Sequence, residues 1–246
     1  MESANYTTKP KITRKKKIII IISSILALLI IGGILAYLFT LGVPGKNLRA
    51  DAKFSYWEEK GYNKGKVLLC GSSFIEYWET SDSDLKPLET YNVGVAATVI
   101  SDWDRWIEKL IIPFAPNTIL LYVGSNDIHG GLGSKKGDVA GDEAIALLKK
   151  IHDKLPNTFI HYISIAPTIA REKVWNESNT CNTVVKNFCG STSFANFIDC
   201  TSALLNDDGS LKKEIYVKDN LHFNEKGYEI WRTEIRKALG IYEQDT

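Results

Sequence analysis

Residues 18–43 form a run of 26 positions without a single charged side chain. A helix of roughly 20 apolar residues is enough to cross the hydrocarbon of a bilayer, so a membrane-spanning helix is the reading that fits this stretch. A cleaved secretory signal has an apolar core of only about 7–15 residues, and the greater length here favours a permanent anchor over a removed leader. Lys9, Lys11, Arg14, Lys15, Lys16 and Lys17 lie just before the run, against one acid, Glu2. On the positive-inside rule, residues 1–17 are a basic cytoplasmic tail and everything after residue 43 is expected on the extracellular or lumenal side. The full chain of 246 residues has a net charge of only +1, so the part beyond this basic tail is acidic. That balance gives no electrostatic reason to expect a nucleic acid partner.

Residues 44–63 are polar and mixed, with Gly42, Pro44 and Gly45 expected to break the membrane helix, and they read as a neck or linker. Phe54, Tyr56 and Trp57 in this neck either pack on the domain that follows or lie at the membrane interface, where aromatic residues collect. From residue 64 to 246, short apolar runs alternate with helical patterns. Strands are expected over 66–70, 88–92, 118–123, 158–166 and 196–200. A helix is expected over 142–155, where Ala144, Leu148, Ile151 and Leu155 make one apolar stripe. A terminal helix is expected from the N-cap Asn224 to Gly240, with Tyr228, Trp231, Ile235 and Leu239 on one face. The strand runs are nearly continuous in apolar character, as in strands covered on both sides. The pattern predicts a three-layer α/β/α sandwich around a mostly parallel five-stranded sheet, flavodoxin-like in class.

Four cysteines, Cys70, Cys181, Cys189 and Cys200, follow the apolar run. An exported domain permits disulfides. Cys70 and Cys200 end apolar runs and are expected as buried thiols; Cys181 and Cys189 lie in a polar stretch and are the expected pair. Their spacing matches no zinc pattern. Asn5-Tyr6-Thr7 is a glycosylation sequon on the cytoplasmic side and is expected to stay unmodified, while Asn176-Glu177-Ser178 is an acceptor only in a eukaryotic host.

The chemistry starts where the first strand ends, in Val67-Leu68-Leu69-Cys70-Gly71-Ser72-Ser73-Phe74. Gly71 permits a sharp exit, and a hydroxyl delivered there stands at the carboxyl edge of the sheet, where open α/β folds keep their sites. A serine nucleophile needs a base, an orienting acid and oxyanion donors. His222 is the candidate base, with Asp219 three residues before it on the turn ahead of the last helix. His161 lies within a strand and His152 on a charged helix face, which leaves His129, in a glycine-rich loop, as the competing histidine. Asn126, in Val123-Gly124-Ser125-Asn126-Asp127, follows the third strand and is the candidate oxyanion donor.

Gly71-Ser72-Ser73-Phe74, Asn92-Val93-Gly94, Gly124-Ser125-Asn126-Asp127 and Asp219-Asn220-Leu221-His222 together resemble the four blocks of the SGNH (GDSL-like) hydrolases, over about residues 64–240. Pro156-Asn157-Thr158, Ile163-Ser164-Ile165-Ala166-Pro167 and His222-Phe223-Asn224-Glu225-Lys226-Gly227-Tyr228 resemble the branch of that family with Gly-Ser-Ser in its first block. The resemblance implies that Ser73 is the nucleophile, His222 the base and Asp219 its orienter. It implies an oxyanion hole formed by the backbone N–H of Ser73, a backbone N–H at position 97 and the side chain of Asn126. Ser72 takes the place where many members carry aspartate. Position 97 is usually glycine; Ala97 can still donate its N–H, but it adopts a positive φ less cheaply and its methyl narrows the pocket.

The resemblance implies an ester hydrolase that needs no cofactor or metal, and the apolar run with its basic flank makes it a membrane-anchored, outward-facing one. Its expected substrates are small acyl esters of a glycan, a lipid or another small molecule. Lys135 and Lys136, in the glycine-rich loop 129–137, are candidates to meet an anionic glycan or headgroup. A surface binding module that kept the fold and lost turnover, and an acyltransferase using the same triad, are the alternatives. The sequence assigns no oligomeric state.

Overall fold

In the computed structural model the described residues are 13–242. The first part of the expected basic tail, with Lys9 and Lys11, and the Asn5-Tyr6-Thr7 sequon lie outside the described residues. The chain divides between Gly45 and Lys46 into two compact units. The first contains helix α1 (Arg14–Leu41), capped at its start by the Thr13 hydroxyl. Its segment Arg14–Ala36 is long and apolar enough to cross a membrane, and none of its side chains is buried. Gly42, in extended backbone, ends the helix. Pro44 and Gly45 break nothing: they fall in the first turn of α2 (Val43–Lys60), where a proline gives up no intrahelical hydrogen bond.

In the second unit, the segment read as a neck is helical and packs on the sheet domain. Ala50 is completely buried, Phe54 and Trp57 pack against the core, and Tyr56 stays exposed. Lys46 Nζ reaches Asp102 Oδ2 at 2.8 Å, Arg49 donates to the Ala96 carbonyl at 2.9 Å, and the Trp57 indole donates to the Asn92 carbonyl at 3.1 Å.

The remaining elements follow in the order β1 (Val67–Gly71), α3 (Ser73–Glu76), α4 (Ser81–Asp84), β2 (Thr90–Asn92), α5 (Ile100–Trp106), β3 (Thr118–Tyr122), α6 (Gly137–Lys154), β4 (Phe159–Ile163), α7 (Trp175–Cys189), β5 (Ala195–Ile198) and α8 (Glu225–Ala238). The five strands pair in parallel in the order β2-β1-β3-β4-β5. Alternate residues of each strand point to opposite faces. Leu68, Cys70, Ile119, Leu121, Ile160 and Tyr162 enter the core under α2, α5, α6 and α7. Val67, Leu69, Leu120, Tyr122 and Ile163 enter the core under α3 and α8, around Phe74, Trp78 and Trp231. This is the expected three-layer sandwich. The chain leaves β1 toward β2 on one side and returns to β3 on the other, so strand order reverses between β1 and β3. In open α/β sheets that reversal opens a crevice beyond the strand ends.

The expected Cys181–Cys189 disulfide is absent, and all four cysteines are free and buried. Both residues lie on α7, eight positions apart. At 1.5 Å of rise per residue that separates them by about 12 Å, beyond the roughly 7 Å limit for a bridge. Burial pushes the thiols up, to about 12 for Cys181 and about 11 for Cys189, and raises Cys70 and Cys200 as well.

Candidate active site

Gly71, the last residue of β1, is pressed against its partner strand β3. A Cβ on Gly71 would lie 2.5 Å from the Tyr122 carbonyl oxygen of β3. Ser72 donates its N–H to that same carbonyl at 3.2 Å, and α3 begins at Ser73. Phe74 and Ile75 are buried beneath it and fix the turn. The Phe74 carbonyl accepts from the Tyr228 hydroxyl at 3.0 Å, and the Ile75 carbonyl accepts from Asn92 Nδ2 at 2.6 Å. Ser73 therefore stands on a rigid turn, its backbone N–H in the first turn of a helix where no intrahelical acceptor exists. Ser72, next to it, is buried with an unpartnered hydroxyl.

His222 comes from the other end of the chain, 149 residues away, and its Nε2 lies 2.7 Å from Ser73 Oγ. Its segment is held by a bridge between Tyr216 and Phe223 and by the Val217 N–H on the His222 carbonyl at 2.9 Å. Asn224 caps α8 as expected, accepting from the N–H groups of Lys226 and Gly227. Asp219 organises the turn through both oxygens. Oδ1 accepts the backbone N–H groups of Leu221 and His222, each at 2.9 Å, and Oδ2 lies 2.6 Å from His222 Nδ1. Partial burial works to raise the Asp219 carboxyl, but the His222 backbone and ring and the Leu221 N–H outweigh it and hold it below the ordinary range. The rings of Tyr77 and Phe74 pack on the imidazole, with centroids 5.0 and 5.6 Å away.

The third part of the site is the loop after β2. Ala97 takes φ +60°, a left-handed conformation that glycine adopts more cheaply. Its neighbours impose this. The Ala96 N–H is held by Glu76 Oε2 at 2.6 Å and its carbonyl by Arg49, while the Val95 N–H donates to Gly71 at 2.9 Å. The Thr98 carbonyl accepts from Asn126 Nδ2 at 3.0 Å. Between these clamped groups the Ala97 N–H finds no acceptor among the described residues. Asn126, just past β3, spends one amide hydrogen on Thr98 and keeps the other. The buried Asp127 ties this loop to α5, accepting the Ile100 N–H at 3.0 Å and pairing with Lys135 at 2.8 Å. Burial raises the Asp127 carboxyl, and Lys135 only partly offsets it.

Ser73, His222 and Asp219 are thus in one hydrogen-bonded line, with Ala97 and Asn126 joined to each other through Thr98. His129 is exposed, and its Nδ1 accepts the Gly131 N–H, so it is not the partner of Ser73. Lys135 is taken by Asp127 and Glu143 and Lys136 by Glu177, so neither is a free cation for an anionic ligand. Sequence reasoning did not single out Glu76, Arg49 or Arg171. Arg171 donates to the Ser125 carbonyl and hydroxyl, and to Asn126 Oδ1 at 2.7 Å. Its position four residues past Pro167, at the same sheet edge, was the available signal. The Pro167–Ile169 stretch beside it lines a cavity of about 620 Å³, together with Trp175, Leu205 and Glu214.

Residues 60–230 match the model of the GDSL-like Lipase/Acylhydrolase family. No curated protein sequence matches the chain. Among solved structures it is similar to one from Streptococcus pneumonia named for platelet activating factor, at 18% identity and a TM-score of 0.71, covering 84% of this chain and 99% of that one. It is also similar to a GDSL-like lipase from Bacteroides thetaiotaomicron, at 15% identity and a TM-score of 0.61, covering 78% and 98%. An acetylxylan esterase from Geobacillus stearothermophilus aligns at 15% identity and a TM-score of 0.59, covering 74% and 97%. At such identities the neighbours speak for the fold, while the match across most of the chain speaks for descent. By this match over residues 60–230, the chain belongs to the GDSL-like lipase/acylhydrolase family.

Proposed function

We propose that the protein is a membrane-anchored, outward-facing serine esterase that works through an acyl-enzyme. The observation that carries this reading is the unbroken line Ser73 Oγ, His222 Nε2, His222 Nδ1, Asp219 Oδ2, with contacts of 2.7 and 2.6 Å. Asp219 keeps a proton on Nδ1 and leaves Nε2 free to accept one. Ser73 Oγ attacks the ester carbonyl carbon as its proton passes to His222 Nε2. The carbonyl oxygen, now negative, is met by the N–H groups of Ser73 and Ala97 and by the free amide hydrogen of Asn126. The imidazolium then gives its proton to the departing alkoxide, and an alcohol leaves. Water, deprotonated by the same imidazole, attacks the acyl-Ser73 carbonyl; the acid departs and Ser73 regains its proton. No step requires a cofactor.

Small acyl groups fit best, because the Ala97 methyl stands at the oxyanion turn where a glycine would leave more room. An O-acetyl group on a sugar is the favoured substrate class, in keeping with the acetylxylan esterase among the structural neighbours. Anchoring rests on α1 and its exposed apolar side chains, and orientation on the cations at residues 14–17.

The test is a fluorophosphonate applied to the full chain in detergent, with the adduct mapped and p-nitrophenyl acetate turnover followed in parallel. Labelling at Ser73 that is lost in His222→Ala, with turnover lost alongside, is expected. A folded protein that neither labels nor turns over would leave a binding module as the reading. Acetyl transfer to an added sugar faster than release of acetate would make it an acyltransferase.

A further inference from the structure

We propose that Arg171 is the positioning residue of the oxyanion site: its guanidinium holds the Asn126 amide in the orientation that leaves one N–H facing the reacting carbonyl. The inference rests on the esterase reading of the same site.

The geometry starts with the amide itself. Asn126 Oδ1 accepts from Arg171 Nη2 at 2.7 Å, and Nδ2 donates to the Thr98 carbonyl at 3.0 Å. A flipped amide would set its NH₂ against a guanidinium, which has no acceptor, and its oxygen against a carbonyl, which has no donor. Both mismatches disfavour the flip, so the amide is fixed at two points. The second Arg171 nitrogen, Nη1, grips the Ser125 carbonyl and hydroxyl, so the fork spans two adjacent residues of the Gly124–Asp127 turn. Lysine, a point donor on a flexible stem, cannot reproduce such a fork.

The second observation is charge. Arg171 is half-buried, and among the described residues it pairs with no carboxylate. All of its protein acceptors are neutral. Removing an ion from water without a counter-charge is costly. In the resting site this cation has no anion; in the tetrahedral intermediate the oxyanion supplies one, through Asn126. Such an arrangement favours the transition state over the ground state.

The third observation is the backbone. Residues Ile169–Val174 form a short 3₁₀ run interrupted at Arg171, whose φ −120° and ψ 18° are not helical. One residue earlier, Ala170 donates to Asn220 of the acid–base turn at 2.9 Å. A single short segment therefore holds the oxyanion donor by a side chain and the Asp219–His222 turn by its main chain.

The experiment uses the full chain in detergent, with R171M, R171K, N126A and the N126A/R171M double variant. Turnover of p-nitrophenyl acetate gives kcat and KM, and selective ¹⁵N-asparagine labelling reports the Asn126 side-chain amide by NMR. Losing one oxyanion donor typically costs 10²–10³ in turnover, which is a ceiling for a residue acting through Asn126. R171M is expected to lower kcat about 30- to 100-fold with KM changed less than about 3-fold, and R171K to recover only part of the loss. In the N126A background, R171M should cost less than about 3-fold more, because the residue it positions is gone. Full kcat in R171M, or losses that multiply in the double variant, would overturn the proposal. Should wild type and S73A prove equally inactive, the esterase reading falls separately, and the amide signal still decides. Unchanged Asn126 side-chain shifts and hydrogen exchange in R171M refute positioning; a displaced, faster-exchanging amide supports it.

Discussion

Replacing Ala97 by glycine should stabilise this protein slightly and leave its chemistry intact. Ala97 stands at φ +60°, where an L side chain costs roughly 1–2 kcal/mol relative to the right-handed region. Its neighbours do not let that strain relax. Glu76 and Arg49 hold the Ala96 peptide groups on one side, and Asn126 holds the Thr98 carbonyl on the other. Glycine would adopt the same conformation freely, but it also loosens the unfolded chain, which returns roughly 0.4–1 kcal/mol. The net gain is about 0.5–1 kcal/mol. For a chain of this size each kcal/mol moves Tm by about 2–4 °C, so a rise of about 1–4 °C is expected. The Ala97 methyl is partly exposed, so little packing is forfeited. Thermal unfolding of the full chain in detergent, followed by tryptophan fluorescence so that α1 does not contribute, measures the shift. Turnover by the proposed mechanism should stay within about 3-fold of wild type or rise, since the backbone N–H at position 97 keeps its place. A Tm lowered by more than about 2 °C would refute the reasoning. It would mean that the methyl makes contacts stronger than the strain, and that alanine at this position is no lesion.

Asp219→Asn keeps an oxygen for the Leu221 and His222 N–H groups but presents an NH₂ to His222 Nδ1, which then accepts and leaves Nε2 protonated toward Ser73; kcat should fall by about 10³–10⁴ with Tm nearly unchanged, and retained turnover would remove Asp219 from the mechanism. Stability should also fall on acidification. His161, buried on β4, is pushed down to about 4 by burial, so the unfolded chain binds its proton first, from near pH 6.5. The stability it leaves intact above pH 6.5 is lost as pH falls toward 4, by about 3 kcal/mol, and urea unfolding of His161→Phe across that window should show a flatter profile than wild type. The depressed Asp219 carboxyl has the same sign in a lower window, its stability present above about pH 4 and lost below. Four thiols should react with a disulfide reagent after denaturation of protein purified without reductant, and almost none before; finding only two would revive a bridge that α7 forbids.

The parts of this molecule that were legible in sequence are those whose chemistry restricts the residue type. An apolar run ending in Gly71 announces a buried strand and a sharp exit, and Asp219 three residues before His222 announces a self-contained, hydrogen-bonded carboxylate–imidazole turn. The strand positions followed from apolar continuity alone, with ends off by a few residues because pairing decides where a strand stops. The neck misled for a physical reason. Its charged residues Lys46, Arg49 and Lys53 look like a solvated linker, yet they reach acceptors on the sheet domain, so a polar face does the packing that apolar faces usually do. The disulfide misled because polarity was taken for exposure. Cys181 and Cys189 face inward from a helix whose other face is polar, and a periodicity of 3.6 hides that from a count of polar neighbours.

The residues invisible to sequence share one role, which explains the invisibility. Glu76, Arg49 and Arg171 hold backbone or amide groups, and no short motif marks where along the chain such a group must stand. A clamp needs a charge or a donor at a point in space, and many positions along the chain could supply it. Ser73, His222 and Asp219, the nucleophile, base and acid of the proposed mechanism, instead stand in short motifs, one just past β1 and the other on the turn ahead of α8. Strand order reverses between β1 and β3, and Ser73 and Asn126 emerge on either side of that reversal. In the proposed mechanism the crevice sets the spacing of Ser73 and Asn126, and the clamps set the directions of the groups around them. Directional precision is what distinguishes an oxyanion hole from a loop with spare N–H groups. It follows that substitutions at the clamps should act mainly on kcat and leave KM nearly unchanged.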